Sequence, residues 1–127
     1  MTRAVIIVDH GSRVETANRM LDDVAALLAK LIPNRVYPAH MELAEPTITQ
    51  AFAAAVRDGA DHVYVFPYFL SPGRHSTNDI PRLCAEAAKA HRVKYHCGEP
   101  IGPANELAEL IERRVASCPE QDYRPPN

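Results

Sequence analysis

Four short apolar runs, alternating with stretches of helical periodicity, constrain this chain more than any other feature. Val5-Ile-Ile-Val8 is continuous and rich in β-branched residues, the pattern of a strand buried on both faces of a parallel sheet. Residues 35–43 form a second, mixed run in which Val36, Ala39 and Met41 are interrupted by Pro38. Proline cannot donate to a ladder, so this strand belongs at an edge. Residues 61–66 form the third. Residues 93–97 form the fourth, whose alternation puts Val93, Tyr95 and Cys97 on one face.

The intervening segments read as helices. Ser12 and Glu15 match a capping box, so a helix is expected over 13–31 with Leu21, Val24, Ala25 and Leu28 inward. Glu45-Pro46-Thr47 opens the next, with proline suiting its first turn and Thr47 with Gln50 a second capping box; Gly59 ends it. A third helix is expected over 79–91, started by Thr77, Asn78 and Asp79. A fourth is expected over 103–116, with Leu107, Leu110, Ile111 and Val115 apolar. Right-handed crossovers turn this βαβαβαβα order into an α/β domain over 1–118. Its four-stranded parallel sheet has the expected order 2-1-3-4, helices on both faces, and a polar, frayed tail over 119–127.

A sheet of this kind binds ligands outside the carboxyl ends of its strands, where the strand order reverses. That point falls between the first and third strands. His10 follows the first strand, Glu42 ends the second, and His75 lies in the loop 67–78 after the third. Two imidazoles and a carboxylate make an open site for a divalent first-row metal, and neutral imidazole serves equally as ligand or base. His40 precedes Glu42 by two, on the same strand face. Arg13 and Arg74 flank the two histidines, and helix N-termini aim backbone N–H groups at the same rim, which suits an anionic substrate.

The formal net charge of −2 offers no basic excess for nucleic acid. No run approaches the roughly 18 apolar residues of a membrane span, and the first residues lack the apolar region of a signal peptide. Three widely spaced cysteines, Cys84, Cys97 and Cys118, read as reduced thiols in a cytoplasmic protein.

Val8-Asp-His-Gly-Ser-Arg13, Met41-Glu-Leu-Ala-Glu-Pro46, Pro67-Tyr-Phe-Leu-Ser-Pro-Gly-Arg-His75 and Asp79-Ile-Pro81 together resemble the small class II tetrapyrrole chelatases, in the sirohydrochlorin chelatase (CbiX-type) group. The resemblance covers about residues 3–116. It implies a three-layer flavodoxin-like fold and insertion of a divalent ion (cobalt first, or nickel or iron) into sirohydrochlorin or a related metal-free tetrapyrrole. It implies His10, His75 and Glu42 as metal-handling and catalytic residues, no organic cofactor, and a homodimer that completes the cleft. Arg13, Arg74, Ser12, Ser76 and Tyr68 are the expected substrate contacts. His40 stands where the family carries an apolar aromatic, and could add a ligand there. Two other readings use the same residues. One is a metal or tetrapyrrole carrier. The other is a phosphoryl-transfer enzyme with His10 as nucleophile, disfavoured by the charges of Asp9 and Glu42 and by the lack of a Gly-rich phosphate cradle.

Overall fold

In the computed structural model, residues 2–127 are described, except for the side chains of residues 74–77. The element order is β1 (Arg3–Asp9), α1 (Glu15–Ala29), β2 (Arg35–His40), α2 (Ile48–Arg57), β3 (His62–Pro67), α3 (Arg74–His91), β4 (Lys94–Cys97) and α4 (Asn105–Ala116). The sheet order is β2-β1-β3-β4 with every pairing parallel, as the apolar runs require. Pro38 sits on the edge strand, level with Ile7 of β1.

The pleat of β1 divides the core. Ala4, Ile6 and Val8 face α2 and α3, where Phe52, Ala55, Ile80, Cys84 and Ala87 are buried with Val63 and Val65 of β3. Ile7 faces the other way, against Leu21 and Ala25 of α1, with Val5, Val24, Leu28 and Val36 partly buried around them. The chain is therefore a three-layer α/β fold with α1 on one face and α2 with α3 on the other. α4 differs: none of its residues is buried, and Leu110, Ile111 and Val115 lie exposed.

Helix starts depart from expectation in three places. α1 begins at Glu15 after Val14, which makes no side-chain cap. Ser12 is drawn into its own turn instead: its hydroxyl accepts from the Val14 N–H at 2.9 Å. Asn18 brackets it, accepting from the Ser12 N–H at 2.9 Å and donating to its carbonyl at 2.7 Å. The expected Ser12–Glu15 box is therefore not formed. α2 does carry the expected box: the Gln50 N–H donates to the Thr47 hydroxyl at 3.2 Å, and the Thr47 N–H to Gln50 Oε1 at 2.8 Å. Pro46 precedes that cap, and its carbonyl accepts from the His40 N–H at 2.8 Å, so it belongs to the extended approach and not to the first turn. α3 begins at Arg74, five residues before the expected start, and carries Pro81 in its second turn.

Candidate functional site

The backbone beyond β1, β2 and β3 is tied together at the carboxyl end of the sheet. The Met41 N–H donates to the Asp9 carbonyl at 2.9 Å, and the Glu42 N–H to the His10 carbonyl at 3.0 Å. The ladder between β1 and β2 thus continues past both strands and sets Glu42 beside His10. From the other side, the Tyr68 N–H donates to the Val8 carbonyl at 2.6 Å. The loop after β3 is held in turn by the loop after β4, whose Ile101 and Gly102 N–H groups donate to the Phe69 and Leu70 carbonyls, both at 2.8 Å.

Gly11 makes this approach possible. Its φ is +86°, and a Cβ there would stand 1.8 Å from the Glu42 carbonyl oxygen. Only glycine lets the chain turn after His10 while the backbone just past β2 comes this close. Asp9 completes the frame. Its Oδ1 accepts from the Gly11 N–H at 3.0 Å and lies 2.6 Å from His40 Nδ1. His40 is 2% exposed, so this polar side chain is buried against its carboxylate partner.

His10 is exposed at the end of β1, its ring packed at a tilt on Phe69 with centroids 4.4 Å apart. Glu42 is exposed alongside. Arg13 is exposed on the same turn as Ser12, and Tyr68 is exposed next to Phe69. Asp9, His10, Ser12, Tyr68 and Phe69 line one open hollow of about 280 Å³. The expected site residues His75, Arg74 and Ser76 have their side chains outside the described residues. Among the described residues, no three His, Cys, Asp or Glu side chains converge on a common metal position. His40, a possible extra ligand from its place in the sequence, is buried with Nδ1 engaged by Asp9, and the pair braces the rim from behind. Reading the sequence missed Asp9 and Gly11 as the residues that hold His10 and Glu42 together. The Asp9–His40 pair spans 31 positions, so no local pattern announces it.

Chemically, the rim offers an exposed imidazole and an exposed carboxylate on adjacent strand ends, beside an aromatic wall. Such a pair can hold a divalent ion weakly, accept a proton, or do each in turn.

Comparison with known proteins gives four matches. The CbiX family model matches residues 4–118. The chain is 44% identical to the chloroplastic sirohydrochlorin ferrochelatase of Arabidopsis thaliana over 90% of its own length and 52% of that protein. In structure it resembles SirB from Bacillus subtilis with Fe3+, at a TM-score of 0.84 and 31% identity, over 94% of this chain and 49% of that one. It likewise resembles a putative cobalamin biosynthesis CbiX protein from Marinobacter aquaeolei, at a TM-score of 0.80 and 29% identity, over 90% and 94% of the two chains. The chain spans about half the length of the first curated relatives it matches, at 52%, 45% and 57%.

Proposed function

Because this chain belongs to the CbiX family, we propose that it is a metal chelatase that inserts cobalt or iron into sirohydrochlorin, the activity named for its relatives. The observation that carries the reading is the juxtaposition of His10 and Glu42, held by the 3.0 Å bond from the Glu42 N–H to the His10 carbonyl. His10, His75 and Glu42 hold the incoming ion with an incomplete shell, so that it can be handed on. The free macrocycle must lose two pyrrole protons as the metal enters. A histidine that has released the metal, or has not bound it, accepts one, since one imidazole nitrogen cannot carry both. Glu42 passes protons outward. Arg13, Arg74, Ser12 and Ser76 hold the substrate carboxylates, with Tyr68 against the ring. No organic cofactor is needed, because the metal is a substrate.

The homodimer belongs to the same proposal. A hollow of about 280 Å³ cannot wall a macrocycle from both sides. A second copy of this lobe would supply the other wall, and the exposed Leu110, Ile111 and Val115 of α4 offer it an apolar surface. We place the protein in the cytoplasm, a reading supported by its three free cysteines.

The test is to mix protein with sirohydrochlorin and Co(II), or anaerobically with Fe(II), and to follow the tetrapyrrole spectrum against a no-enzyme control. His10→Ala and His75→Ala are expected to lose turnover by roughly a hundredfold or more while remaining folded, the usual scale for losing an acid–base group. A change limited to one equivalent would make the protein a carrier. No change with either metal would refute chelation of this substrate.

A further inference from the structure

One face of the sheet is covered over only half its width. α1 lies over β1 and β2, with Leu21 and Ala25 buried against Ile7 and with Val36 packed beside them. Register carries that face on to β3 and β4: Val5 is level with Tyr64, Ile7 with Phe66, and Tyr64 with His96. There Phe66 and His96 are exposed and Tyr64 is only half-buried. The Tyr64 and His96 rings stack with centroids 4.4 Å apart, so this half forms a flat floor. α1 walls it on one side. Met20 and Leu27, seven positions apart and hence on one flank of the helix, are 66% and 61% exposed, and Leu31 beyond them 81%. Met20 borders a hollow together with Tyr68 and Phe69, which follow β3, so this flank is turned toward the bare half. α4 carries the counterpart. Its Leu107, Leu110, Ile111 and Val115 recur at helical spacing along one side, and none is buried. At 1.5 Å per residue α4 is about 18 Å long, and the flank from Met20 to Leu31 runs about 16 Å.

We propose that α4 of each copy docks on the bare half of the sheet of a second copy, against Phe66, Tyr64 and His96 and the Met20 flank of α1. The exchange rests on the homodimer proposed for this protein and assigns the surfaces that make it. Each chain holds an apolar helix with no seat and a seat of helix length with no helix, so a second copy of the same chain supplies both at once. The path of the backbone opposes docking of α4 on its own sheet. The Ile101 and Gly102 N–H groups fasten the exit loop of β4 to the Phe69 and Leu70 carbonyls, both at 2.8 Å. Only Pro103 and Ala104 then remain before α4 to reverse its course, and the proline ring fixes one of their φ angles. Covering the exposed parts of these apolar side chains in both copies removes about 1,400 Å² from water, inside the roughly 1,200–2,000 Å² of a specific interface. Reciprocal exchange closes on itself, so every contact is made twice and no seat is left for a third copy.

The experiment uses full-length chains carrying Cys97→Ser and Cys118→Ser, which leave only the buried Cys84. One variant adds Ile111→Cys on α4 and another adds His96→Cys on the floor, both at exposed positions. The two are mixed, left to equilibrate and treated with a short bismaleimide. The expected product is a covalent pair of the two different variants, joined between positions 96 and 111 in the digested peptides, with little linkage in either variant alone. Linkage of the Ile111→Cys variant to itself would mean that α4 pairs with α4, and would overturn the exchange. A single chain carrying both substitutions that links within itself and runs as a monomer would overturn it too, by placing α4 on its own sheet. No linkage in a mixture that elutes as a dimer would sink the exchange and leave the homodimer standing, whereas a monomer would sink both. In the parent chain, Ile111→Glu is expected to shift elution from dimer to monomer with circular dichroism unchanged, and a dimer that persists would also overturn the proposal.

Discussion

Replacing Gly11 by alanine tests the frame of the site most directly. The added methyl group meets two obstacles. Gly11 has φ +86°, a conformation that costs an L-residue about 1–2 kcal/mol. Its Cβ would also fall 1.8 Å from the Glu42 carbonyl oxygen and 3.1 Å from His40 Cβ. The first contact involves backbone, so no side-chain rotation relieves it, and the segment just past β2 must retreat by about an ångström, from 1.8 Å to the nearest tolerable approach of 3.0 Å. That retreat breaks the Glu42 N–H bond to the His10 carbonyl, worth about 0.5–1.5 kcal/mol. Together these predict a loss of about 2–3 kcal/mol, within the 5–15 kcal/mol of a typical domain. The variant should therefore stay folded at room temperature with its Tm lowered by about 6–15 °C. Its metal-insertion rate should fall by roughly a hundredfold, because an ångström of misplacement separates His10 from Glu42. The assays are thermal unfolding by circular dichroism and the sirohydrochlorin spectral assay on the same preparation. A Tm within about 2 °C of the parent would refute the close approach of β2 to Gly11. A lowered Tm with full activity would refute the claim that this approach sets the catalytic geometry.

Two further outcomes follow from other contacts. Asp9→Ala leaves the buried His40 Nδ1 and the Gly11 N–H without their acceptor; urea unfolding should report a loss of about 2–4 kcal/mol, and a loss under about 0.5 kcal/mol would refute the bracing role. Tyr37→Phe removes the hydroxyl that donates to Asp58 Oδ2 at 2.6 Å. That bond is the foremost cause holding the Asp58 carboxyl below its ordinary range, with Arg35 and Arg57 adding to it. A depressed carboxyl stabilises the fold above its unfolded pKa, and the benefit fades as pH falls through the folded value. Tyr37→Phe should therefore lower the urea midpoint at neutral pH and have a shrinking effect as pH falls below the ordinary carboxylate range; a pH-independent effect would refute the linkage.

The sheet was legible because its determinants are local. Val5-Ile-Ile-Val8 announces a doubly covered strand, Pro38 announces an edge, and alternation with helical stretches leaves few ways to wind a parallel sheet. The strand ends carrying His10 and Glu42 came with it. What escaped depends on competition between nearby partners or on contacts across the fold. Ser12 had the chemistry of a helix cap, but the Val14 N–H and the Asn18 amide claimed its turn first. Ser71-Pro72-Gly73 signals a break without saying that regular structure resumes at once, so α3 starts earlier than its capping residues suggested. His40 carries the residue type of a ligand, and only the fold shows Asp9 folded against it. α4 has the apolar spacing of a packed helix, yet no pattern along one chain says that its apolar residues lie outside the core of that same chain.

The place of β1 has a consequence for how the protein is made. The strand synthesised first lies between two neighbours that arrive later. Arg3 pairs with His62, and Ala4 with Arg35, so each ladder closes over a long stretch of chain. A nascent chain that has released β1, α1 and β2 from the ribosome can pair one edge of β1 only. Its other edge stays open until residue 67 has emerged, at a synthesis speed of roughly 5–20 residues per second. During those seconds an apolar strand exposes unpaired N–H and C=O groups, the template on which chains join each other. Stalling before β3 therefore prolongs the exposure of that open edge, and shielding Val5-Ile-Ile-Val8 during this interval would protect it.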